Sequence, residues 1–137
     1  MFVLDASLAL AWVFDEEETE RSREVLRQAL EEAVVVPSVW PLEVANAVLI
    51  GRRSGRFSED EALLFVEALA GLDVEVDERA HRVAFADLVP LAAQHGLTSY
   101  DAAYLELALR TDAPLATFDA GLARAARSAG VELLLQD

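Results

Sequence analysis

The sequence predicts an α/β fold, a central parallel sheet between two layers of helices, as a single domain spanning residues 1–137. Three observations predict it. Short apolar or β-branched runs recur along the chain, each too short for a helix. Amphipathic stretches of helical length separate them. Capping and stop residues stand at most of the boundaries, and strands joined through helices pair in parallel. At 54% hydrophobic residues there is ample core material, and the composition is not that of a disordered segment.

The elements follow in order. Residues 2–4 read as a short buried strand, and 7–14 as a short helix. A longer helix over 17–32 places Val25, Ala29 and Ala33 on one face and Glu18, Arg21 and Glu24 toward water. Residues 34–36 are a β-branched strand stopped by Pro37. A helix over 41–54 ends near Gly55. Ser58 is a good N-cap for the next helix, with Glu61 three residues on as its capping-box partner. That helix runs to about Leu69 and stops at Gly71. Residues 72–76 alternate as a strand, and 78–94 form a third long helix closed by Gly96. Thr98 or Ser99 caps a helix reaching about Arg110. Residues 114–117 are a strand, 121–128 a helix stopped by Gly130, and 131–134 a last strand. No repeat, low-complexity tract or linker interrupts this order.

Composition removes several chemistries. The chain has no cysteine, which excludes disulfides, thiolate zinc sites and cysteine nucleophiles. All 11 basic residues are arginine, so Schiff-base lysines and phosphate-binding P-loops are absent. A GC-rich genome would by itself produce that usage. No apolar run approaches the ~20 residues of a membrane span, and no leader signal follows Met1, so a cytoplasmic protein without membrane attachment is expected. The formal net charge of −14 argues against passive electrostatic binding of nucleic acid.

Four carboxylates stand beside apolar segments, where an unpaired charge is costly to bury. Asp5 ends the first strand, with Ser7 two residues on as a further oxygen donor. Glu43 opens the helix Trp40-Pro41-Leu42-Glu43-Val44-Ala45-Asn46, and Asn46 shares its face at i+3. Asp101 lies in the first turn of its helix among small residues, with the Tyr104 hydroxyl one turn on and in need of a partner if buried. Asp119 follows the strand 114–117, on the same side as Thr117. Each has a simpler reading. Asp5 and Asp119 are also good helix caps, and Glu43 and Asp101 also suit the positive end of a helix dipole. In parallel sheets, however, sites lie beyond the strand carboxyl ends, where strand order reverses. If the strands bearing Asp5 and Asp119 are neighbours, all four acids can share one crevice, and their mutual repulsion then calls for a divalent cation, a centre for phosphate chemistry.

Taken with their order and surroundings, these segments resemble the PIN-domain family, and within it the VapC-like toxin ribonucleases, over essentially the whole chain. Val3-Leu4-Asp5-Ala6-Ser7 matches the first acid of the family, and Leu42-Glu43-Val44-Ala45-Asn46-Ala47 the second. Leu97-Thr98-Ser99-Tyr100-Asp101-Ala102-Ala103-Tyr104 matches the third, and Thr117-Phe118-Asp119 the fourth. The resemblance implies an α/β/α sandwich and a Mg²⁺- or Mn²⁺-dependent endoribonuclease. It also implies a homodimer, a small VapB-like antitoxin as partner, and structured RNA of the transfer or ribosomal class as substrate. Asp5, Asp101 and Asp119 would be direct or water-mediated metal ligands. Glu43 would bind metal or orient the attacking water, and Ser7, Asn46 and Thr117 would support them. Hydrolysis would leave a 5′-phosphate and a 3′-hydroxyl.

Other features are read more plainly. Arg52, Arg53 and Arg56 at one helix end, with Arg124 and Arg127 on the last helix, are either a local positive rim or ordinary surface ion pairs. The acidic run Asp15, Glu16, Glu17, Glu18 and Glu20 is a solvated helix start or a docking point for a basic antitoxin segment. His81 and His95 are too scattered for a metal site, and Trp12 and Trp40 read as core or partner-contact residues. Two competing functions are a phosphoacceptor domain, which needs a lysine this chain lacks, and a non-catalytic module that acts through a regulatory partner.

Overall fold

Phe2, Val3 and Leu4 are fully buried, the pattern of a strand covered on both faces rather than on one. They form β1 (Phe2–Leu4), and β2 (Val34–Pro37) repeats the pattern with four buried residues. β3 (Val74–Asp77) is more open, as an edge strand should be, and β4 (Leu115–Ala116) is buried and only two residues long. The computed structural model describes residues 1–14 and 19–134. Its sheet is parallel throughout, in the order β3-β2-β1-β4. The chain therefore starts in the middle of the sheet, moves outward to β3, and returns to the other side of β1. Strand order reverses between β1 and β4, where Val3 pairs with Leu115 and Leu4 with Ala116.

The helices between these strands are α1 (Ala6–Leu10), α2 (Glu20–Glu31), α3 (Trp40–Arg53), α4 (Glu59–Ala70), α5 (Ala80–Val83), α6 (Val89–His95), α7 (Ser99–Thr111) and α8 (Ala120–Ala129). They flank the sheet to give the expected three-layer α/β/α sandwich. α7 is the central one: it packs on β1, β2 and β4 and meets α8, and six of its residues are buried. The predicted caps form. Ser58 accepts from the Glu61 amide while Glu61 accepts from the Ser58 amide. The Thr98 hydroxyl accepts from the Asp101 amide. Thr19 and Ser22 make an equivalent pair at the start of α2.

Two elements depart from expectation. The helix expected over 78–94 is divided: a π-helical turn (Ala84–Leu88) separates α5 from α6. Pro90 has no amide to donate within a helix, and here it occupies the first turn of α6, where none is required. The wider turn takes up the mismatch, with the Val89 amide reaching back to the Ala84 carbonyl. The expected last strand over 131–134 is reduced to one bridge, Leu133 beside Leu115. With β4 only two residues long, little backbone is left for it to pair with. The amides of Leu115 and Leu134 reach the carbonyls of Glu132 and Leu115, each at 2.9 Å.

Residues 15–18, most of the acidic run, lie outside the described residues; Glu20 opens α2. Trp40 is in the core, and Trp12 is half-buried with its indole N–H donating to the Ser22 carbonyl at 2.7 Å. Arg52 pairs with Glu59, and Arg56 lies over the Phe14 ring. His81 is exposed and His95 half-buried.

Candidate functional site

The four acids reach one place by four different routes. Asp5 is the residue after β1, set by its amide donating to the Ala116 carbonyl of β4 at 2.9 Å. Asp119 follows β4 by three residues. Glu43 and Asp101 sit in the first turns of α3 and α7. All four line a cavity of about 400 Å³ at the carboxyl end of the sheet, together with Ser7, Asn46, Ala6, Ala47, Leu10 and Ile50. This is the point where strand order reverses. Among the described residues, neither an arginine nor a histidine lines it.

Asp5 is the deepest of the four. It occupies the cap position of α1 yet makes no side-chain cap bond, so the simpler reading of this residue is not realised. Its Oδ2 instead accepts from two hydroxyls, Thr117 at 2.6 Å and Ser7 at 2.7 Å. Those hydroxyls also hold the segment after β4. Thr117 Oγ1 accepts from the Asp119 amide at 3.0 Å, and Ser7 Oγ accepts from the Phe118 amide at 3.2 Å. Thr117 thus stands behind the cavity rather than in its wall. Asp119 caps the helix that follows it and also reaches the cavity. Its Oδ1 caps α8 through the Leu122 amide at 2.8 Å, and its carboxylate still lines the cavity.

Glu43 is half-buried, and its Oε1 accepts from the Tyr104 hydroxyl at 2.6 Å. Tyr104 is 0% exposed. Its hydroxyl has the partner that burial demands, and burial together with Glu43 pushes its pKa well above the ordinary tyrosine value. Asn46 lies one turn beyond Glu43, exposed, on the cavity wall.

The electrostatics are those of an anionic pocket short of positive charge. Burial raises the pKa of Asp5, and the Asp119 charge adds to it, against the opposing pull of the two hydroxyls. Burial raises Glu43, and Asp5 and Asp101 raise it further. Burial raises Asp101, followed by Asp119 and Asp5. Each ionised acid therefore costs its neighbours free energy, and a cation among them would reverse the sign. The donor set is all hard oxygen, which suits Mg²⁺ or Mn²⁺ and not a soft metal. Among the described residues, no three of the His, Asp and Glu side chains stand close enough to form a finished metal cage. The carboxylates share a pocket without yet converging on one point. In chemistry and charge, then, the residues fit a divalent cation.

A second cleft, of about 670 Å³, shares Ser7, Leu10 and Asp119 with the acid pocket and continues past Phe14, Thr19, Arg21 and Phe118. Sequence reasoning missed it. Arg21 is exposed, as expected, and its guanidinium carbon lies over the Phe118 ring, 5.6 Å from the centroid. The available signal was the position of Phe118, between two residues already singled out.

Comparisons with known proteins identify the family and the fold. The family model described as PIN domain matches residues 2–128. Ribonuclease VapC3 of Pyrobaculum aerophilum is 34% identical over 121 residues, 88% of this chain and 91% of that protein. The crystal structure of PAE2754 from Pyrobaculum aerophilum has a TM-score of 0.64 at 22% identity, over 90% of this chain and 84% of its own, which speaks to the fold.

Proposed function

The chain belongs to the PIN domain family, and on that premise we propose that it is a metal-dependent endoribonuclease of the VapC-like toxin class, one PIN domain over residues 1–137. One observation carries the reading. Four carboxylates from four separate elements line a single pocket that, among the described residues, no basic side chain lines, at the reversal point of a parallel sheet. A relative at 34% identity that carries the name of a ribonuclease supports the same chemistry.

In this reading Asp5, Asp101 and Asp119 would hold Mg²⁺ or Mn²⁺. When bound, the cation would supply positive charge toward the phosphate and make water a better nucleophile. The residues do the rest. Thr117 and Ser7 hold Asp5 in one orientation and tie it to the segment carrying Asp119. Tyr104 fixes Oε1 of Glu43, which leaves Oε2 to accept a hydrogen bond and then the proton of an attacking water. Asn46 is placed to donate from its amide to a phosphate oxygen at the mouth. Water adds to phosphorus as its proton passes to Glu43, the bond from phosphorus to the 3′ oxygen breaks, and that oxygen takes a proton from solvent water and leaves as a hydroxyl, while Glu43 returns its proton to solvent. The products carry a 5′-phosphate and a 3′-hydroxyl.

RNA of the transfer or ribosomal class as substrate, a VapB-like antitoxin and a homodimer come to this chain through its family, as does action in the cytoplasm. Leu49 and Ile50 of α3 and Leu63, Leu64 and Val66 of α4 are exposed and available for such contacts. Among the described residues no helix is long and apolar enough to cross a membrane.

The test is direct. Purified protein should cut RNA with Mg²⁺ or Mn²⁺ and stop when EDTA is added. Asp5→Asn and Asp101→Asn should keep the far-UV circular dichroism of the parent and lose cleavage. Cleavage that persists in EDTA would remove the cation from the mechanism. Wild-type rates in either variant would remove that residue. A neighbouring gene for a small DNA-binding protein tests the toxin role.

A further inference from the structure

The cleft beside the acid pocket shares Ser7, Leu10 and Asp119 with the site where a cation is expected and continues beyond it. We propose that it receives an unpaired nucleobase of the RNA next to the cleaved phosphate, with Phe118 as the stacking surface and Arg21 beside it. The proposal rests on the ribonuclease reading and extends it to how the substrate strand is seated.

Three observations carry it. The first is continuity: Ser7, Leu10 and Asp119 line both the cleft and the acid pocket, so a phosphate among the acids has its neighbouring nucleoside at the cleft mouth. The second is chemistry. The cleft offers a half-buried aromatic ring and a guanidinium 5.6 Å from its centroid, the two kinds of flat surface on which bases stack. Its volume of about 670 Å³ falls in the range, ~300–1,000 Å³, of clefts that hold small organic ligands. Phe14 has its arginine closer, Arg56 at 3.6 Å from the ring centroid, and packs against Phe57 with centroids 5.4 Å apart, so it serves as wall.

The third observation is rigidity. Phe118 stands between Thr117 and Asp119, and its amide donates to Ser7 Oγ, the hydroxyl that holds Asp5. A base resting on Phe118 is therefore registered against Asp5 through two hydrogen bonds. That coupling turns stacking into positioning of the scissile phosphate. It also bears on the substrate class. A base inside a duplex cannot present its face to a ring, so cleavage should fall in loops, bulges or single strands. For a protein with a net charge of −14, recognition by stacking is also more plausible than recognition by phosphate attraction.

The experiment compares wild type, Phe118→Ala and Phe118→Trp. One probe is a single-stranded RNA of about 12 nucleotides, and the other is the same strand made wholly of abasic residues. Binding is read by fluorescence anisotropy with Ca²⁺ in place of Mg²⁺, and cleavage kinetics are read with Mg²⁺. Loss of one stacked base predicts that Phe118→Ala weakens RNA binding by about 5- to 150-fold. Phe118→Trp should bind as wild type, and the abasic strand should bind all three proteins alike. A wild type that cuts RNA while Phe118→Ala keeps the same Kd and kcat/KM overturns the base site and leaves the ribonuclease reading standing. An equal loss on the abasic strand also overturns it, because the effect would then lie in the fold or the phosphates. A wild type that neither binds nor cuts RNA overturns both readings.

Discussion

Tyr104→Phe is the sharpest single test of how the acid pocket is held. The ring is fully buried, so phenylalanine keeps the packing of α7 and opens no cavity. What is lost is one short bond, from the hydroxyl to Oε1 of Glu43 at 2.6 Å. A hydrogen bond to a charged group contributes about 1.5–3 kcal/mol. Glu43 is only half-buried, so water can partly replace the hydroxyl, and the lower end of that range applies. About 1.5 kcal/mol corresponds to roughly a tenfold change in an equilibrium constant. The rate of Mg²⁺-dependent cleavage should therefore fall about tenfold while Mn²⁺ affinity, read by titration calorimetry, stays in place.

The sign of the pH effect follows from the same bond. The hydroxyl donates to the ionised form of Glu43 and pulls its pKa down, against the burial that raises it. Without the hydroxyl, Glu43 holds its proton to higher pH. The acidic limb of the cleavage profile should move upward in Tyr104→Phe. A purely structural tyrosine would lower the urea midpoint and leave both the cleavage rate and that limb in place; such a result would refute the orienting role.

The remaining predictions concern charge and packing. Asp5, Glu43 and Asp101 all have raised pKa values, so the folded state binds more protons than the unfolded chain. Stability of the cation-free protein should fall as pH rises from the ordinary carboxylate range through these raised values, and thermal melts from pH 4 to pH 8 will show it. Asp77, lowered by its hydrogen bonds to Arg110, works in the opposite direction and loses its contribution as pH falls. Mg²⁺ should raise Tm more at pH 8 than at pH 5, with a gain of about 2.7 kcal/mol at one hundred times its Kd; an equal gain at both would place the cation elsewhere. The raised pKa of Asp5 already includes its two hydroxyl partners, so Asp5→Asn should stabilise the cation-free fold at neutral pH, by urea titration, while cleavage falls about 100-fold or more. Gly51→Ala should destabilise. A Cβ there would meet the buried Phe57 ring at 2.3 Å, an overpacking cost of about 1–3 kcal/mol against roughly 1 kcal/mol gained in helix propensity. An unchanged urea midpoint would show that the Phe57 ring moves freely.

Much of the fold was legible because its signals are local. Ser58 and Glu61 are three residues apart, and Thr98 reaches an amide three residues on. The apolar runs of β1 and β2 announce strands covered on both faces. The errors came where two local signals compete. Helical periodicity over 78–94 continues across Pro90, and the chain resolves the conflict with a π-turn that periodicity does not encode. The apolar residues 131–134 look like a strand, but pairing depends on the partner, and β4 offers two residues.

The candidate site divides along the same line. Its acids were visible because each stands at a strand end or in a first helical turn, positions set by nearby sequence. Their partners were not visible. Thr117 meets Asp5 across 112 residues, and Tyr104 meets Glu43 across 61. Those contacts also bear on the readings that local spacing leaves open. Asp5 could have capped α1, but two hydroxyls take its Oδ2 and hold it toward the cavity. Asp119 could have been cap or ligand; a carboxylate has two oxygens, and capping through Oδ1 does not remove the other from the pocket. Burial then makes the difference between an acid that merely caps and one that can bind a cation. A carboxylate in water gains little from a passing ion, whereas Asp5, desolvated and facing Asp119, gains the full relief of a neutralised neighbour. The property that makes this pocket costly in the cation-free protein is therefore the one that would make it bind.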